Sequence, residues 1–327
     1  LPSVLQNSLT LPVICSPLFI ISNPDLVIAQ CKAGVVGSFP ALNARPAEEL
    51  DVWLERITRE LAEYKAQNPE AVVAPFAVNQ IVHSSNDRLQ HDVEMCVKYK
   101  VPIIITSLRA PNDVVEPIHS YGGLVFHDVI NVKHAKKAIE AGVDGLILVC
   151  AGAGGHAGQL SPFALVSEIR EFYDGPIILS GSISKGEQIL AAQAMGADLA
   201  YMGTRFIATH EANADQAYKQ MLVDTSADDI VYSNLFTGVH GNYLKPSIQK
   251  AGMDPNNLPE GDKSTMKFGS GGSSKTKAWR DIWGAGQGVG SIGAITSTAE
   301  AVSKLEQEYA SARARMQAIA SPYGEQA

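Results

Sequence analysis

Eight short, almost continuously apolar runs recur along the first two thirds of the chain, and each is followed by a segment with helical spacing. The runs cover residues 13–16, 34–39, 72–78, 101–107, 123–129, 145–150, 176–182 and 199–206. Strands without polar alternation are typical of parallel sheets that are covered on both faces. Such a pattern fits either an open doubly wound sheet or a closed barrel, and the count of eight favours the barrel. The sequence therefore predicts an α/β fold, a (β/α)8 TIM barrel followed by a smaller C-terminal region.

The chain divides into three parts that differ in composition and pattern. Residues 1–223 hold the eight strand and helix units. Residues 224–296 begin with a long polar stretch rich in Gly, Asn and Pro, which is longer than a simple connection needs. We expect this part to form a lid or small domain over the barrel mouth. Residues 297–327 begin with an Ala- and Glu-rich helix, which we expect to pack back on the barrel.

Two of the helices carry recognisable start signals. Asn131 opens the segment 131–141, and its side chain can cap the first turn. Ser184 opens the segment 184–195 and is followed three residues later by Glu187, which predicts a capping box.

Composition limits the class of protein. Lys and Arg number 26 against 34 Asp and Glu, a formal charge of −8, while 46% of residues are hydrophobic. This predicts a packed core and argues against nucleic acid or an anionic lipid surface as a partner. No run of uninterrupted apolar residues is long enough to span a membrane, and no secretory leader is visible. The four cysteines form no C-x-x-C pair, so we expect a reducing, cytoplasmic location. A homodimer is compatible with the sequence, which does not fix the oligomeric state.

Two consecutive strand ends predict a phosphate site. Ser-Gly-Ser follows the seventh run and Met-Gly-Thr-Arg-Phe follows the eighth. Glycine there exposes backbone N–H groups, and barrel enzymes frequently bind phosphate in these two loops. The predicted cradle consists of Gly181, Ser182, Gly203 and Thr204. The alternative is that both are ordinary strand-to-helix turns; a P-loop motif is absent.

The loop after the sixth run predicts a catalytic residue. His156 stands in the glycine-rich segment 150–159, where no bulky neighbour in sequence would bury it. Histidine is the usual acid or base near neutral pH, so we assign it a catalytic role over that of a core histidine. His127 ends the fifth run and is predicted to point at the barrel mouth. The histidine spacings typical of metal sites are absent, and no metal is predicted.

Several segments occur together in an informative order. They are Gly-Ala-Gly-Gly-His-Ala-Gly at 152–158, Leu-Ser-Gly-Ser-Ile at 179–183, Met-Gly-Thr-Arg-Phe at 202–206, the first strand end at 16–19, Pro-Phe-Ala-Val-Asn at 75–79 and a Trp- and Gly-rich segment from Trp279 to Gly288. This combination resembles the nitronate monooxygenase family, whose members are FMN-binding barrels. The resemblance covers nearly the whole chain.

The resemblance implies a set of cofactor contacts. Pro17, Leu18 and Phe19 would face the flavin ring and Asn79 would contact it. The phosphate would lie on the cradle defined above, and His156 would lie over the reactive face of the ring. The remaining implied contacts are His127, Gly152, Gly155, Gly158 and Gln159. Many relatives carry a Gln and an acidic residue before the Gly-Gly-His segment, where this chain has Cys150 and Ala153.

The family resemblance leaves several reactions open. Residues 237–248 resemble the NADH:quinone reductase branch most, which implies FMN as cofactor and NADH and a quinone as substrates. No G-x-G-x-x-G follows a strand, so NADH would be a transient substrate. The alternatives are a monooxygenase that oxidises nitronates with O₂, a flavin-dependent enoyl-acyl-carrier-protein reductase, and a non-enzymatic barrel that stores flavin.

Overall fold

The computed structural model describes residues 1–261 and 282–324, with side chains to residue 319. All eight predicted strands are present and parallel, in the order β1-β9-β8-β6-β5-β4-β3-β2. They are β1 (Val13–Cys15), β2 (Gly37–Pro40), β3 (Phe76–Val82), β4 (Ile103–Leu108), β5 (Leu124–Val129), β6 (Gly145–Val149), β8 (Ile177–Ser180) and β9 (Leu199–Met202), with the two-residue β7 (Gly155–His156) lying outside the barrel. A bridge between Ile14 and Val36 joins β1 to β2 and closes the sheet. The predicted barrel is confirmed.

Helices follow these strands along the chain, and those between successive barrel strands pack on the outside of the barrel. The helices are α1 (Pro24–Lys32), α2 (Glu49–Gln67), α3 (Leu89–Lys98), α4 (Asn112–His119), α5 (Val132–Glu140), α6 (Pro162–Arg170), α7 (Gly186–Ala194), α8 (Thr204–Ile207), α9 (Gln216–Asp224), α10 (Lys245–Lys250) and a C-terminal helix (Thr298–Gly324). In the described ranges no helix is long and apolar enough to cross a bilayer.

Local signals explain most helix starts. The Asn131 side chain accepts a hydrogen bond from the His134 N–H, as predicted. The predicted capping box at Ser184 is wrong, because the side-chain oxygen of Gln188 accepts the N–H of Ser184 and Glu187 pairs with Lys185 instead. The eighth strand also ends earlier than predicted, since the chain turns into α8 at Thr204.

Strand side chains alternate between two cores. Those that fill the barrel interior include Ile14, Val36, Ala77, Ile103, Ile105, Phe126, Ile147, Ile178, Leu199 and Tyr201. Their neighbours in sequence face the helices, as Val125 and Val129 do on β5. Because successive strand residues point to opposite faces, this alternation decides which residues at the strand ends reach the barrel mouth.

A second sheet covers part of the mouth. It consists of β10 (Ile230–Ser233), β11 (Gly241–Leu244) and β7, paired antiparallel. Apolar side chains pack against it, among them Phe236, Tyr243 and Ile248. The Gly- and Ser-rich residues 269–274 and Trp279 lie outside the described residues.

The C-terminal helix packs directly on α7. The N–H of Gly186 donates to Glu308 Oε2 at 2.8 Å, and the Tyr309 hydroxyl donates to Gln193. A Cβ at Gly186 would overlap the backbone nitrogen of Tyr309. The start of α7 is therefore backed by a helix that follows it by more than a hundred residues.

Candidate active site

A cavity of about 1050 Å³ opens at the carboxyl ends of the barrel strands. Most of the residues singled out from the sequence line it: Pro17, Leu18, Phe19, Asn79, Gly152, Gly155, His156, Gly181, Ser182, Gly203 and Thr204. Residues from the second sheet, including Thr237, complete the wall. The barrel thus brings together segments that lie up to 272 residues apart in the sequence, from Ser16 to Gly288.

Three of the predicted contacts do not line this cavity: His127, Gly158 and Gln159. The prediction that His127 points at the mouth is wrong, because Phe126 and Asp128 take the inward positions of β5. The His127 ring instead lies 2.8 Å from the Thr106 hydroxyl in the layer under the helices. Burial there, with His134 nearby, lowers the pKa of His127 to about 4. Gly158 donates to the carbonyl of Val149 and ends the glycine loop.

The predicted phosphate loops are closely packed. Gly181 has a φ of +136°, and a Cβ there would lie 2.8 Å from the carbonyl oxygen of Ala151. At Gly203 a Cβ would meet the Ser16 Cβ at 3.3 Å. The Thr204 hydroxyl accepts the Gly286 N–H at 2.9 Å, which ties this loop to the segment after residue 282. Glycine therefore suits both positions, because a Cβ would crowd the neighbouring chain.

The His156 side chain is held from the second sheet. Its Nε2 lies 3.0 Å from the hydroxyl oxygen of Thr237, and that hydroxyl lies 2.9 Å from the carbonyl oxygen of Val239. Because the Thr237 hydroxyl donates its proton to the carbonyl of Val239, it can only accept from the imidazole. We therefore place the imidazole proton on Nε2 and the imidazole lone pair on Nδ1. Burial lowers the pKa of His156 to about 4, so the ring is neutral near pH 7.

A polar network that sequence reasoning missed lies at the ends of β3, β4 and β5. The Asn79 amide donates to the Ser107 hydroxyl at 2.8 Å, and that hydroxyl donates to Asp128 Oδ2 at 2.5 Å. All three residues line the cavity. Burial raises the pKa of Asp128 to about 7, although the Ser107 hydrogen bond opposes the shift. The alternation on β5, with Phe126 inside, was the signal that favoured Asp128 over His127.

Aromatic and cationic side chains form the outer wall. Trp283 stacks on Tyr218 with ring centroids 4.9 Å apart, and Lys250 Nζ lies 5.1 Å from the Trp283 ring centroid. Arg45 lies over the Phe19 ring at 5.6 Å. Such a wall can hold a planar molecule that carries negative charge.

Comparisons with known proteins agree with this architecture. A family profile described as nitronate monooxygenase matches residues 4–308. Fold, cavity and match together define an oxidoreductase. The chain belongs to the nitronate monooxygenase family.

Individual relatives are distant. The chain is 24% identical to a nitronate monooxygenase of Paraburkholderia phytofirmans, over 91% of this chain and 92% of that one. It is 25% identical to a hydroxy-methyl-oxo-octahydroindene-carboxyl-CoA dehydrogenase of Rhodococcus jostii, over 53% of this chain and 49% of that one. A relative from Mycobacterium tuberculosis is matched over 44% of its length. The chain thus spans about half the length of these last two relatives.

Two solved structures share the fold. FabK from Thermotoga maritima superposes with a TM-score of 0.74 at 22% identity, covering 96% of this chain and 97% of that one. The nitroalkane oxidase of Streptomyces ansochromogenes gives 0.75 at 21% identity, covering 96% and 100%.

Proposed function

We propose that this protein is an FMN-dependent NADH:quinone oxidoreductase that works by two successive two-electron transfers. The observation that carries the proposal is the Trp283, Tyr218 and Lys250 wall beside a cavity of about 1050 Å³. This volume lies at the upper end of the roughly 300–1,000 Å³ range of ligand pockets, and the aromatic wall offers a face on which a planar substrate could stack. Lys250 and Arg45 suit the pyrophosphate of a nicotinamide dinucleotide.

The residues present fit FMN. The family is generally flavin-dependent, and the glycine loops that would hold a terminal phosphate, at Gly181, Ser182, Gly203 and Thr204, line the cavity. Pro17, Leu18, Phe19 and Asn79 would hold the ring. When bound, the cofactor supplies the capacity to accept and release a hydride equivalent, which no amino-acid side chain provides.

The side chains of this protein orient the substrates and handle protons. The overall balance is NADH, quinone and one proton giving NAD⁺ and hydroquinone. His156, neutral and with its Nε2 proton held by Thr237, would accept a hydrogen bond from the forming hydroquinone through Nδ1, and the proton consumed in the overall reaction would come from solvent. We also infer that the described part of the region 224–296 acts as the lid, since Phe236, Thr237 and Val239 line the cavity.

A second candidate is oxidation of nitronates or their parent nitroalkanes with O₂. The neutral His156 supports it, because an imidazole whose Nε2 proton is engaged by Thr237 keeps its lone pair on Nδ1 and suits a proton acceptor. The relative from Paraburkholderia phytofirmans carries this activity in its name.

One anaerobic experiment separates these functions. Purified protein reconstituted with FMN is mixed with NADH or with an alkyl nitronate in the absence of O₂, and the flavin absorbance is followed. Bleaching by NADH and recovery with a quinone supports the reductase. Bleaching by the nitronate alone favours the second candidate, and recovery only with an enoyl thioester indicates an enoyl reductase. Inertness to both reductants would indicate storage, and failure to bind FMN would overturn the proposal.

A further inference from the structure

The network of Asn79, Ser107 and Asp128 lies across the barrel from the phosphate loops. In the closed strand order, β4 stands three strands from β8 and four from β9. A molecule whose phosphate rests on Gly181 and Gly203 would therefore extend its other end toward this network. The network has no role in the proton handling proposed for His156.

The hydrogen bonds of the network all run in one direction. Asn79 donates to Ser107, and Ser107 donates to Asp128. The carboxyl oxygen Oδ1 of Asp128 is buried and has no hydrogen-bond partner among the described residues. Nor does any Lys or Arg of the described ranges form a salt bridge with Asp128. The network thus ends on a carboxyl group with one oxygen, Oδ1, that lacks a donor among the described residues.

Other titratable groups near Asp128 do not supply that donor. Tyr201, on β9, points into the same interior, and its pKa is raised by burial and then by the Asp128 charge. His134, on α5, lines the cavity, where burial and then Lys137 and Lys133 lower its pKa. A buried carboxylate without a partner is costly, so a ligand N–H is the fitting complement.

Oxidised flavin offers one such group. Its ring carries a single N–H, at N3, and the other polar atoms of that edge are acceptors that a carboxylate would repel. We propose that Asp128 accepts the N3–H of the flavin ring, with Ser107 and Asn79 fixing the carboxylate. This inference rests on the FMN site proposed above. Asp128 is then a binding residue that sets which way the ring lies.

The test is a binding cycle on the apo-protein with two probes, FMN and N3-methyl-FMN. Wild type should prefer FMN by roughly 10- to 100-fold, the range for a hydrogen bond to a charged group. Asp128→Ala should weaken FMN by a similar factor and abolish the preference. Asp174→Asn is the control, since this exposed carboxylate precedes β8 at the opposite end of the barrel.

The outcomes are distinguishable. Equal affinity of wild type for both probes, or an undiminished preference in Asp128→Ala, would overturn the assignment while leaving the FMN site intact. Absence of FMN binding to wild type would overturn the proposed function itself.

A second measurement, which uses Asp128→Asn, tests the proposal even if the alanine variant misfolds. In wild type the FMN dissociation constant should rise more steeply between about pH 8 and pH 5 than in Asp128→Asn, because protonation removes the charged acceptor. The FMN phosphate titrates in the same range, and comparison of the two proteins removes its contribution. Identical pH profiles would contradict the assignment.

Discussion

The imidazole Nε2 of His156 lies 3.0 Å from the hydroxyl oxygen of Thr237, a residue 81 positions further along the chain. His156 lies in β7 and Thr237 in the turn between β10 and β11, so the second sheet joins two segments that are distant in the sequence. The second sheet therefore positions the candidate catalytic group as well as covering the mouth. Several expected outcomes depend on this contact and on the cavity around it.

Replacing His156 by Ala should leave FMN bound, because the phosphate and ring contacts lie elsewhere. Turnover should fall by roughly 10²–10⁴-fold, the usual contribution of a positioned acid or base. Stopped-flow measurement of the reductive and oxidative half-reactions locates the loss: the quinone step for the reductase, the nitronate step for the second candidate. Wild-type rates in both half-reactions of this variant would show that His156 only contributes to packing.

The pH dependence of wild-type turnover follows from the burial of the His156 imidazole. Burial lowers the pKa of His156 to about 4, so this group stays neutral as pH rises from about 5. Protonation should reduce turnover only below that range, and the low-pH break should vanish in His156→Ala. A break near the ordinary histidine pKa that is lost in this variant would contradict the burial-based prediction.

Thr237→Val should lower kcat with little change in KM, because the imidazole loses its orienting partner while the cavity keeps its volume. Thr237→Ser restores the hydroxyl and should recover most of the loss. A general packing role would predict that neither substitution separates kcat from KM.

Gly203→Val should prevent FMN binding, measured as flavin absorbance relative to protein absorbance after reconstitution. A Cβ at Gly203 already lies 3.3 Å from both Ser16 and Leu18, so the branched side chain must occupy the loop space. Gly293→Val is the matched control, since no atom lies within 4 Å of a Cβ there. Normal FMN occupancy in Gly203→Val would contradict the placement of the phosphate site at this loop.

Lys250→Met should raise the KM for NADH by roughly three- to tenfold, the loss of one partly exposed charge contact. The effect should shrink at high salt. Lys245→Met on the same helix is the control, because Lys245 Nζ bonds the carbonyl of Asp228 away from the cavity. Equal effects of both substitutions would indicate a general charge effect.

Asp128→Asn should stabilise the apo-protein, and more so near pH 8 than near pH 5. Burial raises the folded-state pKa from 3.8 to about 7. Between those values the native protein holds a proton that the unfolded chain has released, so this group's contribution to stability falls as pH rises through that window. Thermal melts of both proteins at the two pH values check this; a lower melting temperature of the variant at pH 8 would contradict it.

Sequence patterns were sufficient for the barrel because a parallel strand buried on both faces leaves an apolar run that few other elements produce. The helix cap at Asn131 was also predictable from the sequence, because a capping side chain acts within one helical turn. His127 was misplaced because its direction depends on where β5 begins its alternation, a choice set by the packing of Phe126. Thr237 had no local signal at all, since its contact with His156 exists only after β11 pairs with β7.

The close approach of Gly186 to Tyr309 sets an order of events during synthesis. The loop from Gly181 to Gly186 emerges from the ribosome long before Glu308, which accepts the Gly186 N–H. A nascent chain that has completed all eight barrel strands still lacks the backing of this loop. Docking of the C-terminal helix, late in synthesis, should therefore complete the loop that we propose for phosphate binding.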